Sequence, residues 1–162
     1  MGKRGQQIMG MPFGVIFSII LIVVFIVIAF IAIGSFLDIG RKSSVGLFYK
    51  DLQEAVDNAW ESQSAEFDFK INLPSGIKKV CFANLSKTIN SNDEVYDEIE
   101  RYSVYDANVF LYPPQKAEEM QWKKIRHINL SKIIANENPY CVDTSKNLKI
   151  KKGFDDRLVV IE

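Results

Sequence analysis

The stretch from Met11 to Leu37, MPFGVIFSIILIVVFIVIAFIAIGSFL, decides the fold of this chain because it holds 27 consecutive residues without a charge. A helix rises about 1.5 Å per residue, so this stretch reaches roughly 40 Å, more than the ~30 Å hydrocarbon core of a bilayer. Apolar residues occupy every side of such a helix, which excludes an amphipathic surface helix. In lipid the backbone has to satisfy its own hydrogen bonds, so residues 11–37 are predicted to form a transmembrane helix.

The same stretch argues against a secretory signal that is cut away. Its apolar run exceeds the about 7–15 residues of a signal peptide, and the residues that end it, GSFLDIG, are a poor cleavage context. Lys3 and Arg4 precede the helix, whereas acidic and basic residues are mixed after it, so the charge bias favours a cytoplasmic N-terminus. We therefore predict a single-pass protein of the cell membrane with a cytoplasmic stub at residues 1–10 and an extracytoplasmic C-terminal part.

Two further features agree with an external C-terminal domain. Cys81 and Cys141 are an even pair, and in an oxidising compartment they are predicted to form a disulfide; two free buried cysteines are the alternative. Closing a loop of about 60 residues stabilises a fold by roughly 4 kcal/mol in a chain-entropy estimate. Asn84 and Asn129 each begin an N-L-S triplet, which is the acceptor pattern for N-glycosylation and also occurs by chance.

Residues 38–64 are predicted to form a juxtamembrane amphipathic helix. Its apolar residues recur at steps of three and four, which places them on one helical face; they include Val45, Phe48, Leu52, Val56 and Trp60. Two interpretations of this face remain open. It packs against its own domain, or it is an interaction face that forms a seam with a helix of another subunit.

Residues 65–162 are predicted to form the extracytoplasmic domain. EFDFKINLP at 66–74 alternates apolar and polar residues as a half-buried strand does, and LPSGI supplies a turn into a second strand at 77–85, so the two are expected to form a hairpin. A short helix is predicted at 93–102, with Asp93 as its cap. KAEEMQWKKIRHI at 116–128 favours another helix. Short strands are predicted at 107–112 and, three times, after Tyr140.

The fold class that follows is α+β: an N-terminal transmembrane helix, an amphipathic helix, and a small, mostly antiparallel β-sheet domain with one or two short helices. No pattern in the sequence points to catalysis or a cofactor. His127 is the only histidine, which rules out a multi-histidine metal site within one chain, and the cysteines do not form a C-x-x-C pair. Phosphate-binding glycine loops, G-x-S-x-G and H-E-x-x-H are missing from the sequence.

The balance of basic and acidic side chains limits the kinds of partner that this chain binds. The chain has 20 basic and 20 acidic side chains, which is no electrostatic footprint for nucleic acid. We expect no enzyme activity, no metal and no cofactor. The expected partners are membrane lipid, further copies of this chain, or another membrane or surface protein.

The opening KRGQQ, followed by a long apolar helix, resembles the class III signal of archaeal type IV pilin-like proteins. In that family a membrane peptidase cuts on the cytoplasmic side, after a glycine and before a glutamine, so the resemblance implies a processing site between Gly5 and Gln6 here. The layout of apolar half-helix, amphipathic half-helix and antiparallel sheet is also similar to that family. Such pilins commonly carry a glutamate as the fifth residue after the cut, thought to pair with a neighbour's new N-terminus. Gly10 stands at that position, which weighs against both cleavage and polymerisation.

Other stretches, such as LPSGIKKVCF and the closing KKGFDDRLVVIE, are similar to uncharacterised small membrane proteins of archaea with reduced genomes. That likeness implies architecture and location only. The leading prediction is therefore a membrane-anchored extracytoplasmic domain with an interaction or structural role. A pilin-like subunit is the alternative, and a membrane-anchored enzyme or sensor is a second, weaker one.

Overall fold

The computed structural model describes residues 10–87 and 94–162, and the chain divides into two compact units between Gly40 and Arg41. The helices are α1 (Gly10–Glu61), α2 (Glu94–Ile99) and α3 (Leu130–Ile133), with 3₁₀ turns at Glu100–Tyr102 and Pro114–Lys116. The strands are β1 (Ala65–Lys70), β2 (Lys79–Phe82), β3 (Val109–Tyr112), β4 (Trp122–Lys123), β5 (Tyr140–Asp143), β6 (Asn147–Lys152) and β7 (Val160–Ile161). This order confirms the predicted α+β class. The predicted cap Asp93 and residues 1–9 of the predicted stub lie outside the described residues.

The first unit contains the apolar part of α1. Its large apolar side chains from Val15 to Phe36 are 41–79% exposed, and this helix is long and apolar enough to cross a membrane. The hydroxyls of Ser18 and Ser35 donate to the carbonyls of Gly14 and Ile31, one turn earlier, at 2.9 and 3.1 Å. Because these bonds stay inside the helix, the two serines bring no unsatisfied donor into an apolar surrounding.

The second unit begins with the amphipathic part of α1, whose apolar face forms its core. Val45, Phe48, Leu52 and Val56 are at most 2% exposed. They lie in one cluster with the inner side chains of both sheets, such as Leu111 of β3. The predicted amphipathic helix is thus an integral part of the domain.

A four-stranded antiparallel sheet with the order β4-β3-β2-β5 lies at the centre of the second unit. Successive side chains point to opposite faces. Val80 and Phe82 of β2 join the cluster around α1, whereas Cys81 between them joins a smaller cluster with Val95 and Ile99 from the segment of α2. Helical segments therefore cover both faces of this sheet.

The second sheet has three antiparallel strands in the order β1-β6-β7. Leu148 and Ile150 of β6 are fully buried, while Lys149 between them and Lys151 after them are exposed. Across the register, Asp68 of β1 faces Lys149 and Glu66 faces Lys151. Opposite charges on directly facing residues stabilise a strand pair, so the exposed face favours this pairing.

The predicted hairpin of the first two strands is wrong. β1 pairs with β6, and β2 lies between β3 and β5 in the other sheet. The linking turn is present, since the Ile77 N–H donates to the Pro74 carbonyl at 3.3 Å. However, Ile71 and Ile77 on either side of the turn are buried in the core. The segment between them therefore crosses from one sheet to the other. The acidic residues of β1, Glu66 and Asp68, then face lysines of β6.

The predicted helix at 116–128 is also wrong. The segment contains the short strand β4, and two of its residues, Glu118 and His127, have positive φ angles of 52° and 64° that no α-helix permits. Asn108 explains the extended backbone. Its side-chain amide donates to the Ile125 carbonyl and its side-chain carbonyl accepts from the Ile125 N–H, both at 2.8 Å. In an α-helix both of these backbone groups would bond within the helix. The hydrogen bonds to Asn108 therefore favour an extended backbone at Ile125.

Candidate functional site

The sequence-predicted interaction face divides into two parts. Val45, Phe48, Leu52 and Val56 are almost fully buried within their own domain, so they are not available to another subunit. The structure corrects the helix-seam interpretation for these four residues, since the free energy of burying them is gained inside the domain. Trp60, the fifth, is 39% exposed and lies against His127, with ring centroids 3.9 Å apart and the planes 8° from parallel.

The pair Asp57 and His127 lies next to this stacked ring. Nδ1 of His127 is 2.8 Å from Oδ1 of Asp57, and Nη2 of Arg126 is 3.8 Å from the other carboxylate oxygen. Gln53 joins the cluster, because its Nε2 donates to Asp57 at 2.8 Å and its Oε1 accepts from the Arg126 N–H at 2.8 Å. The cluster fixes the end of residues 118–127, which we call the strap, onto α1.

The other end of the strap is fixed near the beginning of the amphipathic part of α1. Nζ of Lys42 is 3.8 Å from Glu118 and 3.4 Å from Glu119. The buried hydroxyl of Tyr49 donates to the Met120 carbonyl at 3.2 Å, and burial raises the pKa of this hydroxyl above its ordinary value. Gly46 leaves room for the Met120 side chain, whose Cε is 3.6 Å from where a Cβ of residue 46 would be.

A cavity of about 730 Å³ lies between the two ends of the strap. One wall is α1, from Gly46 to Asn58, and the other is the strap, from Glu119 to Ile125. Such a volume lies within the range of sites for small molecules and peptide side chains. The lining residues are Gly46, Tyr49, Lys50, Gln53, Glu54, Asp57, Asn58, Glu119, Met120, Trp122, Lys123 and Ile125.

The lining mixes apolar, amide and charged side chains. Within the described part of the chain, the lining contains no serine, threonine, cysteine or histidine. Among the described residues, no three or more histidine, cysteine, aspartate or glutamate side chains are grouped so that they could hold a metal ion. Tyr49, Met120, Trp122 and Ile125 are the large apolar and aromatic residues of the lining, and Lys50, Glu54, Asp57, Glu119 and Lys123 are its charged ones.

The cysteines are brought together. Cys81 and Cys141 are directly opposite each other on β2 and β5 and form a disulfide, with their Cα atoms 4.0 Å apart. The disulfide lies in the buried cluster that includes Val95 and Ile99. It joins β2 and β5, and β3 lies between β2 and the edge strand β4. The disulfide links two strands whose cysteines are 60 residues apart in the sequence, so its role is structural.

Both glycosylation candidates have side chains that serve the local backbone. The side-chain carbonyl of Asn84 accepts from the Ser86 N–H at 3.0 Å, and that of Asn129 accepts from the Lys132 N–H at 3.1 Å as the cap of α3. Both side chains are half-buried. The candidate processing site at Gly5 and Gln6 lies outside the described residues.

The sequence did not predict the strap. The sequence pattern predicts a helix for its residues, and Asp57 and His127 are 70 positions apart with no local pattern to connect them. The one signal in the sequence is the tandem Pro113–Pro114, which ends β3 and turns the chain back before Glu118. Pairing of Trp122 with Phe110 depends on that reversal.

No protein-family model, curated protein or solved structure matches this chain.

Proposed function

We propose that this chain is a single-pass membrane protein that holds a small, disulfide-bonded α+β binding domain on the extracytoplasmic side. The observation that carries the proposal is the apolar part of α1, whose large side chains are 41–79% exposed from Val15 to Phe36. Exposing that much contiguous apolar surface to water is strongly unfavourable, and a bilayer removes the cost. The proposed role is binding, and it is supported by the cavity between α1 and the strap, which both apolar and charged side chains line.

The Cys81–Cys141 bond supports the extracytoplasmic side, since disulfides persist in oxidising compartments and are rare in a reducing cytosol. Lys3 and Arg4 ahead of the apolar stretch support the same orientation. Partners under this proposal are membrane lipid and another membrane or surface protein. No catalytic step is included.

Thiol labelling of the full chain in native membranes tests the orientation. Without reductant, maleimide added after denaturation is expected to label neither cysteine; when intact cells are first treated with a membrane-impermeant reductant, both cysteines are expected to react once the chain is denatured. Extraction at high pH is expected to leave the chain in the membrane fraction. Labelling without any reductant, or release at high pH, would overturn the proposal.

A pilin-like subunit is the second candidate, and a specific observation favours it. One helix, Gly10–Glu61, contains both the apolar and the amphipathic halves, and antiparallel sheets follow it, which is the layout that the pilin resemblance implies. Intact-mass measurement on protein from native membranes distinguishes the two proposals. A chain that begins at Gln6, and that is retained at full length in a Gly5→Val variant, supports the pilin-like subunit. A full-length wild-type chain contradicts it.

A further inference from the structure

Two Asn-Leu-Ser triplets, at residues 84–86 and 129–131, have the same sequence but lie in different local structures. The first triplet forms the turn that follows β2. In the second triplet, Leu130 and Ser131 are the first two residues of α3. An acceptor for N-glycosylation has to lie in a surface loop, so the first triplet meets this requirement and the second does not.

Asn84 is held in place by all of its hydrogen-bonding groups except the side-chain nitrogen. The buried side chain of Asn138 accepts from the Asn84 N–H at 3.1 Å and donates to the Asn84 carbonyl at 3.0 Å. Oδ1 of Asn84 accepts from the Ser86 N–H at 3.0 Å. Nδ2 of Asn84 has no hydrogen-bond partner among the described residues. The nitrogen to which N-glycosylation attaches a sugar is therefore free on a residue that is otherwise fixed.

The hydrogen bond between Asn84 and Ser86 suits the chemistry of glycosyl transfer. In this reaction Nδ2 gives up a proton to a base of the transferase and forms a bond to the anomeric carbon of a sugar. The bond from that carbon to a phosphate oxygen of a lipid-linked donor breaks, and its electron pair leaves with the lipid phosphate. Negative charge moves onto Oδ1 as the proton leaves, and the Ser86 N–H is already in position to stabilise this charge.

The same side-chain carbonyl has a different partner in the second triplet. Oδ1 of Asn129 accepts from the Lys132 N–H at 3.1 Å, outside the triplet, as the cap of α3. In the first triplet the corresponding bond connects the two residues that the acceptor pattern specifies, asparagine and serine. A transferase therefore reaches the first triplet in the folded chain as it stands, whereas the second becomes accessible only after α3 has lost its cap and first turn.

A second cavity, of about 330 Å³, lies beside the first triplet, and all three residues of this triplet line it. Of the second triplet, which is fully described, Leu130 alone lines it. The charged residues of the described lining are Asp106 and Lys124, which pair with each other, and the polar ones include Ser103. A lining with hydroxyl and amide groups and balanced charge suits the first sugar of a neutral glycan.

We propose that Asn84 carries an N-linked glycan, transferred from a lipid-phosphate-linked sugar donor after the domain has folded, and that Asn129 stays unmodified. The modification rests on the proposed extracytoplasmic placement of the domain and adds a covalent group to it. Selectivity comes from the fold, because the two triplets have the same three residues. Transfer to the unfolded chain has no reason to distinguish them.

Peptide mass spectrometry of the full chain from native membranes tests the proposal, and the chain contains its own control. Trypsin releases the first triplet within residues 80–87 and the second within residues 127–132, so each is measured separately. After reduction of the disulfide, residues 80–87 are expected to carry a carbohydrate mass, and residues 127–132 are expected to have the mass of the sequence alone. A first peptide without carbohydrate, or as much carbohydrate on the second peptide as on the first, would overturn the proposal.

Three variants separate N-glycosylation from misfolding and from sugar on the serine. Asn84→Gln and Ser86→Ala are each expected to abolish the carbohydrate on residues 80–87, and Asn129→Gln is the matched control that leaves it unchanged. Ser86 is exposed, and Ser86→Ala keeps its N–H bond to Asn84, so loss in this variant does not depend on misfolding. Carbohydrate retained in either of the first two variants contradicts the proposal. The thiol labelling tests the placement of the domain separately: cysteines shown to be outside, together with an unmodified Asn84, reject the glycan alone.

Discussion

Asn108 is the residue on which the strap depends most directly. It is 8% exposed, and its side chain satisfies both the N–H and the carbonyl of Ile125. Asn108→Ala is expected to lower the free energy of unfolding by about 2–4 kcal/mol, because two buried backbone groups lose their partners. Urea unfolding of the full chain in detergent, followed by tryptophan fluorescence, measures the loss. Asn136→Ala, at an exposed position, is the matched control, and equal losses in both variants would contradict the assignment.

Two glycines have opposite roles. Gly46 lies within α1, and a Cβ there would be 3.6 Å from Met120, an ordinary contact, whereas Gly76 has a φ of +109° in the turn before β2. Gly46→Ala is expected to raise the free energy of unfolding by about 0.5–1 kcal/mol through helix propensity. Gly76→Ala is expected to lower it by about 1 kcal/mol or more, since alanine is strained at that angle. The same urea titration checks both signs, and a loss of stability in Gly46→Ala would show that the Met120 contact is tighter than the structure indicates.

At the residue scale, prediction from the sequence succeeded where the signal is local. The buried positions of Val45, Phe48, Leu52 and Val56 follow from helical spacing alone, because a helix places residues three and four apart on one face. The role of Asn108 was not predictable in this way. Its partner, Ile125, is 17 positions away and becomes its neighbour only after the strands have paired.

At the scale of elements, the pairing of β1 with β6 makes stability depend on pH. Oε1 of Glu66 is 2.8 Å from Nζ of Lys149, and the hydrogen bond and charge of this lysine lower the pKa of Glu66. A carboxylate with a lowered pKa in the folded state stabilises the fold above its ordinary pKa of 4.5. That contribution is lost as the pH falls through the folded-state pKa.

The thermal midpoint of the wild-type chain is therefore expected to fall as the pH decreases below 4.5, and Glu66→Gln is expected to flatten part of that fall. Glu61→Gln, at an exposed carboxylate that ends α1, is the control and should keep the wild-type profile. Circular dichroism between about pH 2 and 7 measures the three midpoints. Identical profiles for Glu66→Gln and the wild type would show that the ion pair contributes nothing.

The strands themselves were largely predictable, but their partners were not. Alternation in EFDFK predicts β1, and the three short strands predicted from Tyr140 onward are confirmed. Which strands pair depends on charges and apolar residues that meet from distant positions, such as Glu66 and Lys151. The strap was missed for the same reason, because helix-forming residues in KAEEMQWKKIRHI are held extended by β3 and Asn108. Pairing and buried hydrogen bonds override helix propensity there.

At the scale of the whole molecule, the boundary between Gly40 and Arg41 predicts where the chain can be shortened. A chain that starts at Arg41 retains every core residue of the second unit and is expected to be soluble, with cooperative unfolding and an intact disulfide. A chain that starts at Gln63 lacks Val45, Phe48, Leu52 and Val56. Burying four such side chains contributes about 6–12 kcal/mol, which is comparable to the stability of a whole domain.

Circular dichroism and size-exclusion chromatography of the two shortened chains check this prediction. The shorter chain is expected to be unfolded or aggregated. A folded, monomeric chain starting at Gln63 would show that the amphipathic part of α1 is dispensable for the fold. An unfolded chain starting at Arg41 would show that the second unit depends on the residues before it.

The position of the Cys81–Cys141 bond has a consequence for how the domain withstands proteases. The segment that it encloses contains α2, β3, β4, the strap and α3. A protease that hydrolyses any one peptide bond between the two cysteines leaves two fragments that are still joined through sulfur. Loss of either fragment then requires a second cut or a reductant, so a nicked molecule remains a single covalent body.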